Sequence, residues 1–114
     1  MTTADKLYDE AIELQQAGQL DAAVAKLTEL VAAEPAYALA HAGLSAFLAK
    51  LGRHDEAIEH ARKVCELEPD DSFSYMAMSL VCQRAGRNAE AEQAMAQAME
   101  IQWGRGKHDV ESDE

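Results

Sequence analysis

Basic residues are scarce. The 114 residues hold 10 Lys and Arg against 21 Asp and Glu, a net charge of -11. So large an acidic excess repels phosphate backbones and anionic headgroups at long range, which makes nucleic acid and membrane surfaces poor partners. Long apolar runs are missing too: nothing approaches the roughly 18 residues that a spanning helix needs. The opening MTTADKLYDE has no basic region followed by an apolar stretch, as a secretory leader would, and the expected address is the cytoplasm. Cysteine is limited to Cys65 and Cys82. Without CxxC spacing, they read as core thiols rather than metal ligands, a disulfide or a nucleophile.

The motifs of catalysis are absent as well. The chain has no glycine-rich phosphate loop, no HExxH, no GxSxG and no Cys–His pair at a spacing that a nucleophile mechanism requires. No catalytic residue is nominated, and neither an enzyme nor a cofactor is expected.

What is present is a period. Gly18, Gly52 and Gly86 stand 34 residues apart, and Ala23, Ala57 and Ala91 follow them at a constant offset. Apolar residues at helical spacing run over 4–17, 21–33, 38–51, 55–67, 72–85 and 89–102, which predicts six helices. Each glycine falls in the turn inside a helical pair, where a left-handed residue ends a helix. Asp21, Asp55 and Asn88 are placed to cap the helix that follows. Pro35 and Pro69, also 34 apart, stop the second helix of their pairs. The third unit has Trp103 at that position, followed by Gly104 and Gly106, so no fourth pair is announced. Residues 104–114, GRGKHDVESDE, are rich in glycine and charge, and are expected to form a flexible acidic tail.

A self-similar unit of this length, with small residues at fixed offsets, resembles the tetratricopeptide repeat. Small residues early in the first helix (Ala11, Ser45, Ser79), the turn glycines, the alanines at 23, 57 and 91, and the prolines at 35 and 69 carry the likeness over residues 4–103. It implies an all-α fold: a right-handed α–α superhelix, or solenoid, of three helical hairpins and six helices. The repeats fall at 4–37, 38–71 and 72–103 within a domain of residues 1–103. Such a unit buries its apolar face only by stacking on its neighbours, so function is expected on surfaces rather than in a catalytic pocket.

Among the four histidines, His41 and His54 fall at packing positions of the repeat, and His60 shares a charged outer face with Glu56 and Glu59; the fourth is His108. His54, Glu56 and His60 would share a metal only if the turn and the second helix brought them together, so no metal site is expected. Glu59 and Lys63 are spaced for an i,i+4 pair.

The two ends differ. First-helix positions that face a preceding repeat are Lys6, Glu10 and Glu13 in the first unit, but Ala40, Leu44 and Phe47 in the second, which caps the amino-terminal end. At the other end Met95, Met99 and Trp103 stay apolar on a face with nothing announced to cover it. A homodimer through that face is one expectation; three tolerated surface residues are the other.

In the resembled family the first helices line a concave groove. That implies a peptide-binding site of Asp5, Tyr8, Asp9 and Ile12, then Leu39, Ala42, Gly43 and Ala46, then Phe73, Met76, Ala77 and Leu80. Relatives that hold the acidic C-termini of heat-shock chaperones use a clamp of lysine, asparagine and arginine. The matching positions here are Tyr8, Ile12, Gly43, Phe73 and Ala77, without a cation or amide among them, so acidic tails are disfavoured. The groove instead suits an apolar or amphipathic protein segment with a basic flank near Asp5 and Asp9, unless Tyr8, Leu39 and Phe73 close it by packing on one another. The expected role is a protein-interaction adaptor or scaffold. Alternatives are a small acidic chaperone for one secreted or assembling client, and a self-assembling structural module.

Overall fold

The structure is a computed structural model and describes residues 2–112, with side chains as far as Gly104. The charged side chains of the acidic tail beyond that point lie outside the described residues. Six helices follow one another: α1 (Thr3–Gln16), α2 (Leu20–Ala33), α3 (Ala38–Lys50), α4 (His54–Leu67), α5 (Ser72–Arg84) and α6 (Asn88–Ser112). Each packs on its neighbours in the chain, and α3 also meets α5. The radius of gyration is 15.8 Å, against roughly 13 Å for a compact domain of this length, as expected of a stack without a central core.

Inside the hairpins one turn is built three times. Gly18, Gly52 and Gly86 have φ of 82°, 80° and 78°, a region that side chains disfavour. The residue after each glycine donates its N–H five residues back, Gln19 to Leu14, Arg53 to Leu48 and Arg87 to Cys82, each at 2.9 Å. This satisfies a carbonyl that the helix end would leave bare. The expected caps at Asp21, Asp55 and Asn88 are not formed. The glycine turn is so tight that α2, α4 and α6 begin at or before these residues, which lie within the first helical turn. There Asp21 and Asp55 act on the helix dipole. Side-chain caps are made instead by Thr2 on α1 and Asp71 on α5.

Helices α2 and α4 end before Pro35 and Pro69. With no proline at the equivalent place, the helical backbone of α6 runs on to Ser112, past Gln102, where the spacing of apolar residues ends. A glycine costs a helix about 1 kcal/mol relative to alanine, but it keeps the N–H that proline lacks.

Packing is tightest where each hairpin closes. Ala11, Ala23 and Ala57 are fully buried, Ala91 almost so, and Ser45 and Ser79 are buried beside them. The Ser79 hydroxyl donates to the Ala91 carbonyl at 2.8 Å, which brings α5 against the backbone of α6. Leu27, Leu30, Leu44, Leu48 and Ile58 fill the space between hairpins one and two. Cys65 and Cys82 are free and buried; burial pushes the Cys65 thiol up to about 11 and raises that of Cys82. On the outer face, ion pairs of Arg62 with Glu90 and of Arg87 with Asp55 tie α4 to α6. Lys63 pairs with Glu66 rather than Glu59.

His60 is not the solvated residue that its charged neighbours suggest. Its Nδ1 lies 3.0 Å from Nδ1 of buried His41, whose Nε2 lies 2.8 Å from the carbonyl oxygen of Pro35. A carbonyl accepts, so His41 carries its proton on Nε2, and His60 must donate Nδ1–H to it. Burial, then the neighbouring His41, holds the pKa of His60 below the usual 6.5, against Glu59 and Glu56, which raise it.

Two predictions follow from this packing. Ala57→Leu in the middle hairpin should lower stability by about 1–3 kcal/mol, read from urea unfolding; an unchanged midpoint contradicts the close contact. Because the folded pKa of His60 is depressed, its contribution is complete above pH 6.5 and declines as the unfolded chain takes up the proton below it. The melting temperature should therefore fall between about pH 7 and pH 5 more steeply in the wild type than in His60→Gln, and equal slopes would refute the histidine pairing.

Candidate functional site

The concave side carries a half-open apolar cavity of about 360 Å³, within the range of roughly 300–1,000 Å³ in which ligand sites fall. It lies between the first helices of hairpins two and three. Leu39, Ala42 and Ala46 of α3 and Phe73, Ala77 and Leu80 of α5 line it, with Ala61 and Val64 of α4 beneath. Helical spacing puts these side chains inward: 39, 42 and 46, like 73, 77 and 80, fall on one stripe of their helix. Leu39, Phe73 and Leu80 remain 58%, 72% and 47% exposed. They stand apart around a floor of alanine and do not close the groove on one another.

The first hairpin's share of the predicted site is used differently. Tyr8 is half-buried and packs on Tyr37, with ring centroids 6.2 Å apart. The Tyr37 hydroxyl donates to Asp5 at 2.6 Å, which lowers the Asp5 pKa and pushes that of Tyr37 up to about 12. Asp5 is thus a structural acceptor that ties α1 to the segment between α2 and α3. Ile12 packs on the core, and Asp9 is exposed. Gly43 is not groove floor: a Cβ there would come within 2.9 Å of Leu27 Cδ1, so its missing side chain lets α3 approach α2. Met76 is 37% exposed and outside the cavity wall.

Five polar residues that the sequence reading did not nominate border the cavity: Ser45, Glu68, Asp71, Ser74 and Arg84. Asp71 accepts from Phe73 N–H at 3.0 Å and from the Ser74 hydroxyl at 3.2 Å. The Ser45 hydroxyl is buried without a partner, unlike its counterpart Ser79. Arg84 was legible in principle, since Lys50 stands 34 residues before it and both close a first helix.

At the carboxy-terminal end, Met95, Met99 and Trp103 are 37%, 63% and 73% exposed. They do not form one hollow. Met99 and Trp103 border a shallow depression with Ala96, and Met95 borders another with Ser79 and Ala91. Among the described residues no group of three or more His, Cys, Asp or Glu is placed to hold a metal, and no helix is long and apolar enough to cross a membrane.

A sequence model of the tetratricopeptide repeat matches residues 8–72. No curated protein sequence matches the chain. Two crystal structures of the protein MamA superpose with TM-scores of 0.83 and 0.86 at 25% identity over 93% of this chain. The chain spans only about three fifths of their length, 62% and 58%. The second tetratricopeptide domain of Spaghetti (RPAP3), bound to the HSP90 peptide SRMEEVD, superposes with a TM-score of 0.78 at 20% identity, over 88% of this chain and 93% of its own. At that identity it shows the fold alone.

The two equivalent serines give a direct test of the site's packing. Ser79→Ala removes a formed hydrogen bond and should cost about 1 kcal/mol, whereas Ser45→Ala removes an unpartnered buried hydroxyl and should be neutral or stabilising. Urea unfolding of both variants reads the order, and the reverse order contradicts the assignment.

Proposed function

We propose, from the premise that this chain belongs to the tetratricopeptide repeat family, that it is a protein-interaction adaptor whose working surface is the cavity between α3 and α5. Family and fold are those of protein-interaction modules. The observation that carries the finer reading is the exposure of Leu39, Phe73 and Leu80 around an alanine floor. Such side chains lose contact with water only when another chain enters, and each contributes roughly 1.5–3 kcal/mol when fully buried. The spacing and depth suit the apolar face of a helix or an extended segment.

The HSP90 peptide in the RPAP3 structure does not transfer to this chain as a ligand. Tyr8, Ile12, Gly43, Phe73 and Ala77 offer its carboxylates no cation or amide, and the amino-terminal half of the chain is acidic.

A second surface is favoured by the exposed Met95, Met99 and Trp103 on α6: self-association through the third hairpin. Residues 72–103 sum to a charge of only -1, against -5 for residues 4–37, so two copies repel each other least there. The polar Lys6, Glu10 and Glu13 make the first hairpin a poor partner for the same face. The two surfaces separate in one experiment. Phe73→Glu should abolish capture of amphipathic helical peptides and leave the sedimentation coefficient unchanged, while Met99→Glu should lower the sedimentation coefficient at high concentration and leave peptide capture intact. Peptide capture that is indifferent to Phe73 refutes the groove reading, and a monomer at every concentration refutes the self-association.

A further inference from the structure

The cavity is apolar along its walls and charged at its two ends, with opposite signs. Glu68 and Asp71 stand where α5 begins and Arg84 where it ends, and all three border the cavity. The 13 residues of α5 separate these ends by about 20 Å at 1.5 Å per residue, three to four turns of a bound helix. Lys50 occupies the same last-turn position of α3 that Arg84 occupies in α5. As far as Gly104, where side chains are described, every other arginine is paired, Arg53 with Glu56, Arg62 with Glu90 and Arg87 with Asp55 and Glu90. Arg84 and Lys50 pair with none of the described carboxylates.

Each of these cations also offsets the carbonyl end of its own helix, which accounts for Lys50 equally well. Arg84 is singled out because it borders an apolar hollow open to a ligand. A guanidinium held at the rim of such a hollow is matched by a carboxylate presented on the same side. At the other end, Glu68 with the capping Asp71 favours a cation or the positive end of a helix dipole.

We infer that the groove reads the direction of its partner: it takes an amphipathic helix lying parallel to α3 and α5, with basic residues in its first turn at Glu68 and Asp71 and a carboxylate in its last turn at Arg84. The inference rests on the groove reading above and adds the occupant's polarity. It also places the basic flank beside Glu68 and Asp71, whereas the sequence alone put it beside Asp5 and Asp9; Asp5 is held by Tyr37.

The probes are two synthetic helices, held helical by a side-chain cross-link, with the same leucine face. One carries lysines in the first turn and glutamates in the last, and the other has these turns exchanged. Their net charges are equal, so attraction by the acidic protein as a whole cancels. Fluorescence anisotropy with the full chain should show the first binding about fivefold tighter at low salt, with the preference shrinking as salt is added. Arg84→Glu should remove or invert the preference while circular dichroism shows an unchanged helix content. Equal affinity for both peptides, or tighter binding of the exchanged one, overturns the polarity and leaves the groove reading standing. Binding of neither peptide to the wild type overturns both.

Discussion

Everything in this molecule depends on how closely two helices approach inside a hairpin. Where Ser79 meets the carbonyl of Ala91, side chain touches backbone at 2.8 Å, and only a residue no larger than alanine or serine on each side permits it. Ala11 with Ala23, and Ser45 with Ala57, occupy the equivalent positions and are buried in the same way. That approach fixes the angle at which each pair leaves its glycine turn, and so which side chains remain to meet the next pair. Leu27, Leu30, Leu44, Leu48 and Ile58 are buried because the hairpins are flat enough to stack.

The groove is the remainder of that stacking. First-helix side chains not spent on a neighbour face the inside of the curve, and whether they stay available depends on what surrounds them. Between hairpins one and two the space is taken by Tyr8 on Tyr37, by the Tyr37–Asp5 bond and by Leu27 filling the place of a side chain at Gly43. Between hairpins two and three no aromatic bridges the curve, and alanine at 42, 46 and 77 leaves a hollow. A nearly repeated sequence therefore leaves an open apolar hollow between hairpins two and three, where the first junction is filled.

Charge is arranged around this framework rather than within it. The ion pairs lie on the outer face, partly exposed, where each contributes little to stability, and among the described carboxylates none pairs with Arg84 at the cavity's end. A part-buried polar contact links His41, His60 and Pro35. It joins the connection between hairpins one and two to the second helix of hairpin two.

Sequence by itself determined the period, and through it the number of helices, their limits to within about a residue for the first five, the left-handed glycines and the identity of the closest contacts. These are local or repeated properties: a glycine at positive φ, a proline that cannot continue a helix and an alanine with no room beside it act on the chain wherever it goes. The resemblance to the tetratricopeptide repeat, rather than the spacing alone, placed Leu39, Phe73 and Leu80 on the inward side. Tertiary structure alone decided which inward-facing residues stay free, since Asp5, Tyr8 and Gly43 have the right spacing for the groove but meet Tyr37 and Leu27, partners on other helices or on the connection before α3. It decided that His60 faces His41, nineteen residues away, and not the solvent its neighbours suggest. A residue's spacing along the chain says which way it points, but what it meets there is set by segments that only the stacking of hairpins brings close.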